Sequence, residues 1–160
     1  MYVGTVMRTE LVTVPPDTTL LSAQKTLDAK EINHLLVVDS KGELLGIVSD
    51  RDLKKSWASS ATTLSKNELM YLLDQVTVES IMAKKTLTIA PGTTIERAAL
   101  LMNQNRINAL PVLEGDELVG IITSSDVIKI LLEAIGIEKD SARLTVLVKD
   151  RIGVISDISQ

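Results

Sequence analysis

Apolar positions along this chain switch repeatedly between a strand-like and a helix-like spacing. Residues 11–14, Leu-Val-Thr-Val, form a short β-prone run that Pro15 and Pro16 close with a turn. Leu20, Ala23 and Leu27 follow at the i, i+3, i+7 spacing of a helix with one buried face. Two further apolar runs, residues 35–38 and 44–48, flank the turn Asp39-Ser40-Lys41-Gly42 and predict a hairpin. A short helix from Asp50 to about Trp57 completes a strand, helix, strand, strand, helix unit.

That unit occurs twice. Val6-Met7 recurs as Ile81-Met82, Thr13 as Thr88, Pro16 as Pro91, Thr18-Thr19 as Thr93-Thr94 and Ala23 as Ala98, always 75 residues apart. The register runs on through Ile32-Asn33 and Ile107-Asn108, Leu35 and Leu110, and Val37 and Val112. The second turn, Glu114-Gly115-Asp116, is one residue shorter. From there Gly46-Ile47 matches Gly120-Ile121 and Asp52 matches Asp126 at a spacing of 74. Surface turns tolerate such a deletion. In the second copy Thr93 and Glu96 predict a capping box before the stripe Ile95, Ala98, Met102. Its last helix, ending at Gly136, spaces Val127, Ile128, Leu131, Leu132 and Ile135 for a buried stripe.

The copies span residues 1–58 and 77–137, and residues 59–76 join them. Residues 58–63 are a Ser/Thr-rich linker, and Ser65 with Glu68 forms a second capping-box pattern. Leu69, Met70, Leu72, Leu73 and Val76 then predict a connecting helix that acts as packing cover.

Composition narrows the chemistry. The chain has 160 residues, 45% hydrophobic and 24% charged, the balance of a folded protein. Aromatics make up 2%, so the core is aliphatic and aromatic stacking platforms for bases are nearly excluded. A net charge of −4 argues against a nucleic-acid partner, because phosphate backbones call for clustered Lys and Arg. With no cysteine and one histidine, disulfides, thiolate nucleophiles and imidazole metal clusters fall away. Neither a signal peptide nor an apolar run long enough for a membrane span is present, which makes a cytoplasmic protein the expectation.

Three segments carry a family resemblance: residues 106–112, Arg-Ile-Asn-Ala-Leu-Pro-Val; residues 120–126, Gly-Ile-Ile-Thr-Ser-Ser-Asp; and residues 46–52, Gly-Ile-Val-Ser-Asp-Arg-Asp. They resemble the signature of cystathionine-β-synthase (CBS) domains, which occur in tandem as Bateman modules. Residues 144–155, Leu-Thr-Val-Leu-Val-Lys-Asp-Arg-Ile-Gly-Val-Ile, resemble the opening of an ACT domain. The implied fold is α+β, two βαββα CBS repeats with pseudo-two-fold symmetry plus a partial ACT strand-helix tail over residues 143–160. This order also resembles that of acetoin-utilisation proteins. The implied function is a non-catalytic regulatory module for an adenosyl ligand such as AMP, ADP, ATP or S-adenosylmethionine, with no resident cofactor or metal. A homodimer through the CBS helices is also implied.

The motif Gly-x-x-Ser/Thr-x-x-Asp suits such a ligand. A hydroxyl and backbone N–H groups at a helix start favour an anion. An ionised Asp one turn on accepts two hydrogen bonds from a ribose diol. The resemblance implies clefts that combine the Asp segment of one copy with the first strand and pre-hairpin segment of the other. One cleft is then expected to join Ser49, Arg51 and Asp52 to Met82, Leu87, Arg106, Ile107, Asn108 and Ala109. The other joins Thr123, Ser125 and Asp126 to Met7, Val12, Ile32, Asn33 and His34. Arg51 and Arg106 suit the first to a phosphorylated compound. Glu31 and Ser125 replace them in the second, which is expected to bind more weakly, to prefer a less charged ligand, or to stay empty.

Plainer roles stand beside these. Ser49 and Thr123 could simply cap helices, Asp52 and Asp126 could be first-turn acids, His34 could be a satisfied core histidine, and Arg106 could pair with a surface acid. The alternative function is a structural or homodimerisation module with empty clefts. An enzyme is disfavoured, since no nucleophile is paired with a general base.

Overall fold

The computed structural model describes residues 1–60 and 65–135. Two units are distinguished: residues 1–127, which hold both copies except for the end of the last helix, and residues 128–160. The ACT-like segment lies outside the described residues.

In the first copy, strand β1 (Thr13–Val14) leads into α1 (Leu20–Lys30), then β2 (His34–Val38), β3 (Leu44–Ser49) and α2 (Asp50–Ser60). Helix α3 (Lys66–Leu73) is the connector. The second copy has α4 (Ile95–Asn105), β4 (Ala109–Glu114), β5 (Glu117–Thr123) and α5 (Ser124–Ile135). The mixed α+β repeat follows the hydrophobic pattern closely. Strand β1 runs parallel to β2, and β2 and β3 form the hairpin. Strands β4 and β5 form its counterpart, while the expected first strand of the second copy is reduced to one parallel bridge between Ile89 and Val112.

The helix stripes are buried as their spacing requires, with Leu20, Ala23 and Leu27 matched by Ile95, Ala98 and Met102. With Leu35, Val37, Val48 and Leu53 the first set forms the core of the first copy, which also takes in Leu73 and Val78 from beyond its own sequence. Both stripe helices end on a left-handed residue, Glu31 at φ 51° and Arg106 at φ 54°.

Four details differ from the sequence expectation. Helix α2 continues through Ser60, so residues 58–60 are helix and not linker. The α4 cap is Thr94, whose hydroxyl accepts from the Arg97 N–H, one residue beyond the expected Thr93. Either threonine could serve by residue type, and Thr94 has the extended backbone of an N-cap, with φ −76° and ψ 153°. On α3 the Ser65–Glu68 capping box forms, but Met70, Tyr71 and Leu72 are exposed, while Leu73 is buried. On α5 the expected buried stripe is largely open, with Ile128 56%, Leu131 55% and Leu132 42% exposed. Helical spacing makes an apolar face but supplies no surface to cover it.

The leading segments of the two copies exchange places. A short 3-10 turn, Val3–Thr5, lies against the second copy, where the Val3 and Gly4 N–H groups donate to Thr93 and Pro91 carbonyls at 2.8 and 2.9 Å. Its counterpart, Val78–Ser80, lies against the first, where Val78 and Glu79 donate to Thr18 and Pro16 at 2.9 and 3.2 Å. Val3 and Val78 are both fully buried. Each strap then reaches the partner copy's hairpin, Arg8 bridging to Ile121 and Ala83 to Ile47.

Candidate functional site

The strap crossing explains the glycine of each motif. A Cβ on Gly46 would sit 2.7 Å from the Ala83 carbonyl oxygen, and one on Gly120 would meet the Met7 side chain. Both glycines are buried, and what their missing side chain admits is the partner strap. Met82 and Met7 are thereby brought to the Asp-bearing motifs with which the sequence grouped them.

At the end of β3 the Asp52 carboxylate closes a tight loop. Its Oδ2 accepts from the Ser49 N–H at 2.9 Å and the Ser49 hydroxyl at 2.5 Å, while the Asp52 N–H donates back to Ser49 Oγ at 3.3 Å. Thr123 and Asp126 repeat the arrangement at the end of β5, at 2.9, 2.6 and 3.4 Å. The capping role and the ligand role are compatible, because capping uses one carboxylate oxygen and a diol would address the other.

The pre-hairpin segments sit beside the motif of their own copy. His34 faces Ser49 in the β2–β3 register, and the Asp50 N–H donates to the Asn33 carbonyl at 3.0 Å. In the second copy Ala109 faces Thr123, and the Ser124 N–H donates to the Asn108 carbonyl at 2.9 Å. Sequence reasoning divided these segments across the copies, whereas antiparallel pairing joins the start of one hairpin strand to the end of the other within a copy. Ile32 and Ile107 follow their segments, each N–H closing on the preceding helix. His34 is therefore a neighbour of Asp52 and Arg51. Burial lowers its pKa below the ordinary 6.5, the Asp52 charge pulls it up, and the Arg51 charge pushes it further down.

The remaining expected residues are more scattered. Arg51 is exposed on the first turn of α2, and Arg106 is exposed at the left-handed end of α4. Ser125 is exposed on α5, and Leu87 is 37% exposed ahead of the Ile89 bridge. Val12 is half-buried, its carbonyl accepting from the Leu36 N–H at 3.4 Å. An open depression of about 570 Å³ lies at the turn end of the first hairpin, lined by residues 13–17 and 38–40, and includes none of the expected site residues.

One participant escaped the sequence reasoning. Arg8 donates from Nη2 and Nε to Asp126 Oδ1 at 3.0 and 3.3 Å, across 118 positions of sequence. Burial by itself would raise the Asp126 carboxyl, but Thr123 and the Arg8 guanidinium together hold it below its ordinary value. At the same place on the other strap stands Ala83, which has no charge to offer Asp52. The 75-residue register that aligns Met7 with Met82 also aligns Arg8 with Ala83, so the signal was present.

Among the described residues no cluster of three or more acids or histidines could hold a metal ion, and no helix is long and apolar enough to cross a membrane.

Comparison with known proteins gives two matches to the CBS domain model, over residues 3–59 and 78–133. A CBS domain-containing protein from Dictyostelium discoideum is 35% identical over 136 residues, covering 84% of this chain and 94% of the relative. A homoserine O-acetyltransferase from Methanohalobium evestigatum is 32% identical over 82% of this chain, which spans only 24% of that enzyme. Among solved structures, the CBS domain pair of protein MJ0100 in complex with 5′-methylthioadenosine and S-adenosyl-L-methionine superposes with a TM-score of 0.72 at 26% identity, covering 84% of this chain and 98% of that one. CBSX2 in complex with AMP gives 0.67 at 30%, covering 83% and 97%. A candidate acetoin utilization protein (AcuB) from Vibrio cholerae gives 0.70 at 30%, covering 89% and 98%.

Proposed function

The chain belongs to the CBS-domain family and carries two copies of the domain, and on that premise we propose that it is a non-catalytic regulatory module that binds an adenine nucleotide or a related adenosyl metabolite. The observation that carries this proposal is the end of β3. There the Asp52 carboxylate is fixed by Ser49 through one oxygen, beside Arg51, and the strap residue at the place Arg8 takes in the other copy is Ala83.

In this assignment Asp52 accepts the ribose hydroxyls and the Ser49 region with the start of α2 receives the phosphate side. Arg51 supplies a permanent positive charge for the phosphate. Met82 and neighbouring aliphatic groups cover the base, consistent with a chain almost without aromatics. The bound complexes of MJ0100 and CBSX2 support an adenosyl ligand for this chain by likeness. The Vibrio cholerae relative supports acetoin metabolism as the process regulated.

Regulation needs a ligand that prefers one arrangement of the copies, with coupling typically about 1 to 3 kcal/mol. The exchanged straps supply the connection, because Met82 belongs to one copy by sequence and packs on the other. A homodimerisation module is the alternative, favoured by the exposed Ile128, Leu131 and Leu132.

A thermal-shift series with AMP, ADP, ATP, S-adenosylmethionine and NAD separates the two. A ligand at 100 times its dissociation constant is expected to stabilise the chain by about 2.7 kcal/mol. Absence of any shift across the series would overturn the sensor assignment and leave the dimerisation module.

A further inference from the structure

The two copies present equivalent carboxylates in unequal states. Asp126 is engaged on both oxygens, Oδ2 by the Thr123 hydroxyl and N–H and Oδ1 by two donors of Arg8. The pair is partly buried on the Asp126 side, with the Asp126 side chain 15% and the Arg8 side chain 52% exposed, so the guanidinium covers the carboxylate from its solvent side. Asp52 has the same Ser49 clasp on Oδ2, and the strap residue beside it is Ala83. A vicinal diol binds a carboxylate through the same lone pairs that a guanidinium fork occupies.

We propose that Arg8 is a built-in latch on the second ligand half-site, occupying the Asp126 carboxylate in place of a ribose and restricting the chain to one adenosyl ligand, held at Asp52. This rests on the adenosyl-binding function proposed above and adds what decides the stoichiometry: a single side chain on the exchanged strap. The strap supplies the latch to the copy it packs against, so whatever displaces the segment around Arg8 from the hairpin of the second copy also frees Asp126. Any ligand that takes Asp126 must first displace Arg8, so its apparent affinity is reduced by the fraction of molecules in which the latch is closed.

The test is calorimetric titration of the full chain with AMP, comparing wild type, Arg8→Ala, Arg8→Gln and the double variant Arg8→Ala/Asp126→Asn. Glutamine keeps most of the side-chain stem while removing the charge, and serves if the alanine variant unfolds. Wild type is expected to bind one AMP per chain. Removal of Arg8 is expected to add a second site tightened by about tenfold or more, the scale of a charge-assisted hydrogen bond. Asp126→Asn should abolish that second site and leave the first.

Two equal sites in wild type, or a single unchanged site after Arg8 is removed, would overturn the latch while the adenosyl function stands. A weaker second site without Arg8 would also overturn it, making Arg8 a ligand contact. Binding by neither wild type nor variants would overturn both proposals. Binding only after Arg8 removal, and only with Asp126 intact, would support the latch and overturn the assignment at Asp52.

Discussion

Asp52 and Asp126 show how much one neighbour changes a carboxylate. Both are clasped by a hydroxyl and a backbone N–H three residues earlier, but Arg8 neutralises only the second. Beside Asp52 the titrating group is His34, whose neutral form the folded state favours because burial penalises its charge. The unfolded chain therefore binds the proton more readily. Stability is present above the ordinary value of 6.5 and is lost as pH falls from there through the lowered folded value. Denaturant midpoints measured across that range should fall towards acid, and His34→Gln should flatten the dependence. Identical pH profiles for the two proteins would remove His34 as the cause. Arg51→Ala should weaken AMP binding while sparing 5′-methylthioadenosine, which has no phosphate for the guanidinium to meet, and competition titration would read the difference. Equal losses for both ligands would sink the phosphate role.

The elements show where sequence is informative and where it is silent. Side-chain periodicity announced the stripes Leu20, Ala23, Leu27 and Ile95, Ala98, Met102, and all six are buried. Ser65 and Glu68 announced their capping box. Strap exchange left no such periodic trace, because backbone hydrogen bonds carry it and any residue can make those. Its sequence signal is the repeated pair of Gly46 and Gly120, which belong equally to the motif Gly-x-x-Ser/Thr-x-x-Asp. The same gap hid Arg8, since an ion pair across 118 positions has no local pattern. A direct test compares the glycines. Gly46→Ala drives a Cβ against a backbone carbonyl that cannot turn aside, at a cost of roughly 1 to 3 kcal/mol. Gly120→Ala meets the flexible Met7 side chain and should lower the melting temperature less. An equal or reversed order would contradict the strap geometry.

For the molecule as a whole, the repeat and not the length sets the architecture. Two copies exchange their leading segments, so neither copy completes its own packing: the first takes in Val78 and the second takes in Val3. The low aromatic content, at first only an exclusion, is consistent with aliphatic side chains and backbone covering an adenine. The open α5 face, which the sequence suggested would be buried, fits contact with a second copy of the chain. Sedimentation should then give a two-chain mass for wild type and a one-chain mass for Leu131→Lys. A one-chain mass for wild type would remove that assembly. The Arg8/Ala83 difference stands in the 75-residue register, but its effect on the Asp126 carboxylate is a tertiary property that the register alone does not show. The central claim is that this pair holds an adenosyl ligand through Asp52, and calorimetric titration of AMP into wild type and Asp52→Asn tests it most directly. Saturable binding by wild type, weakened about tenfold or more in a variant that keeps its melting temperature, is the predicted result; equal affinities, or no binding by either, would contradict it.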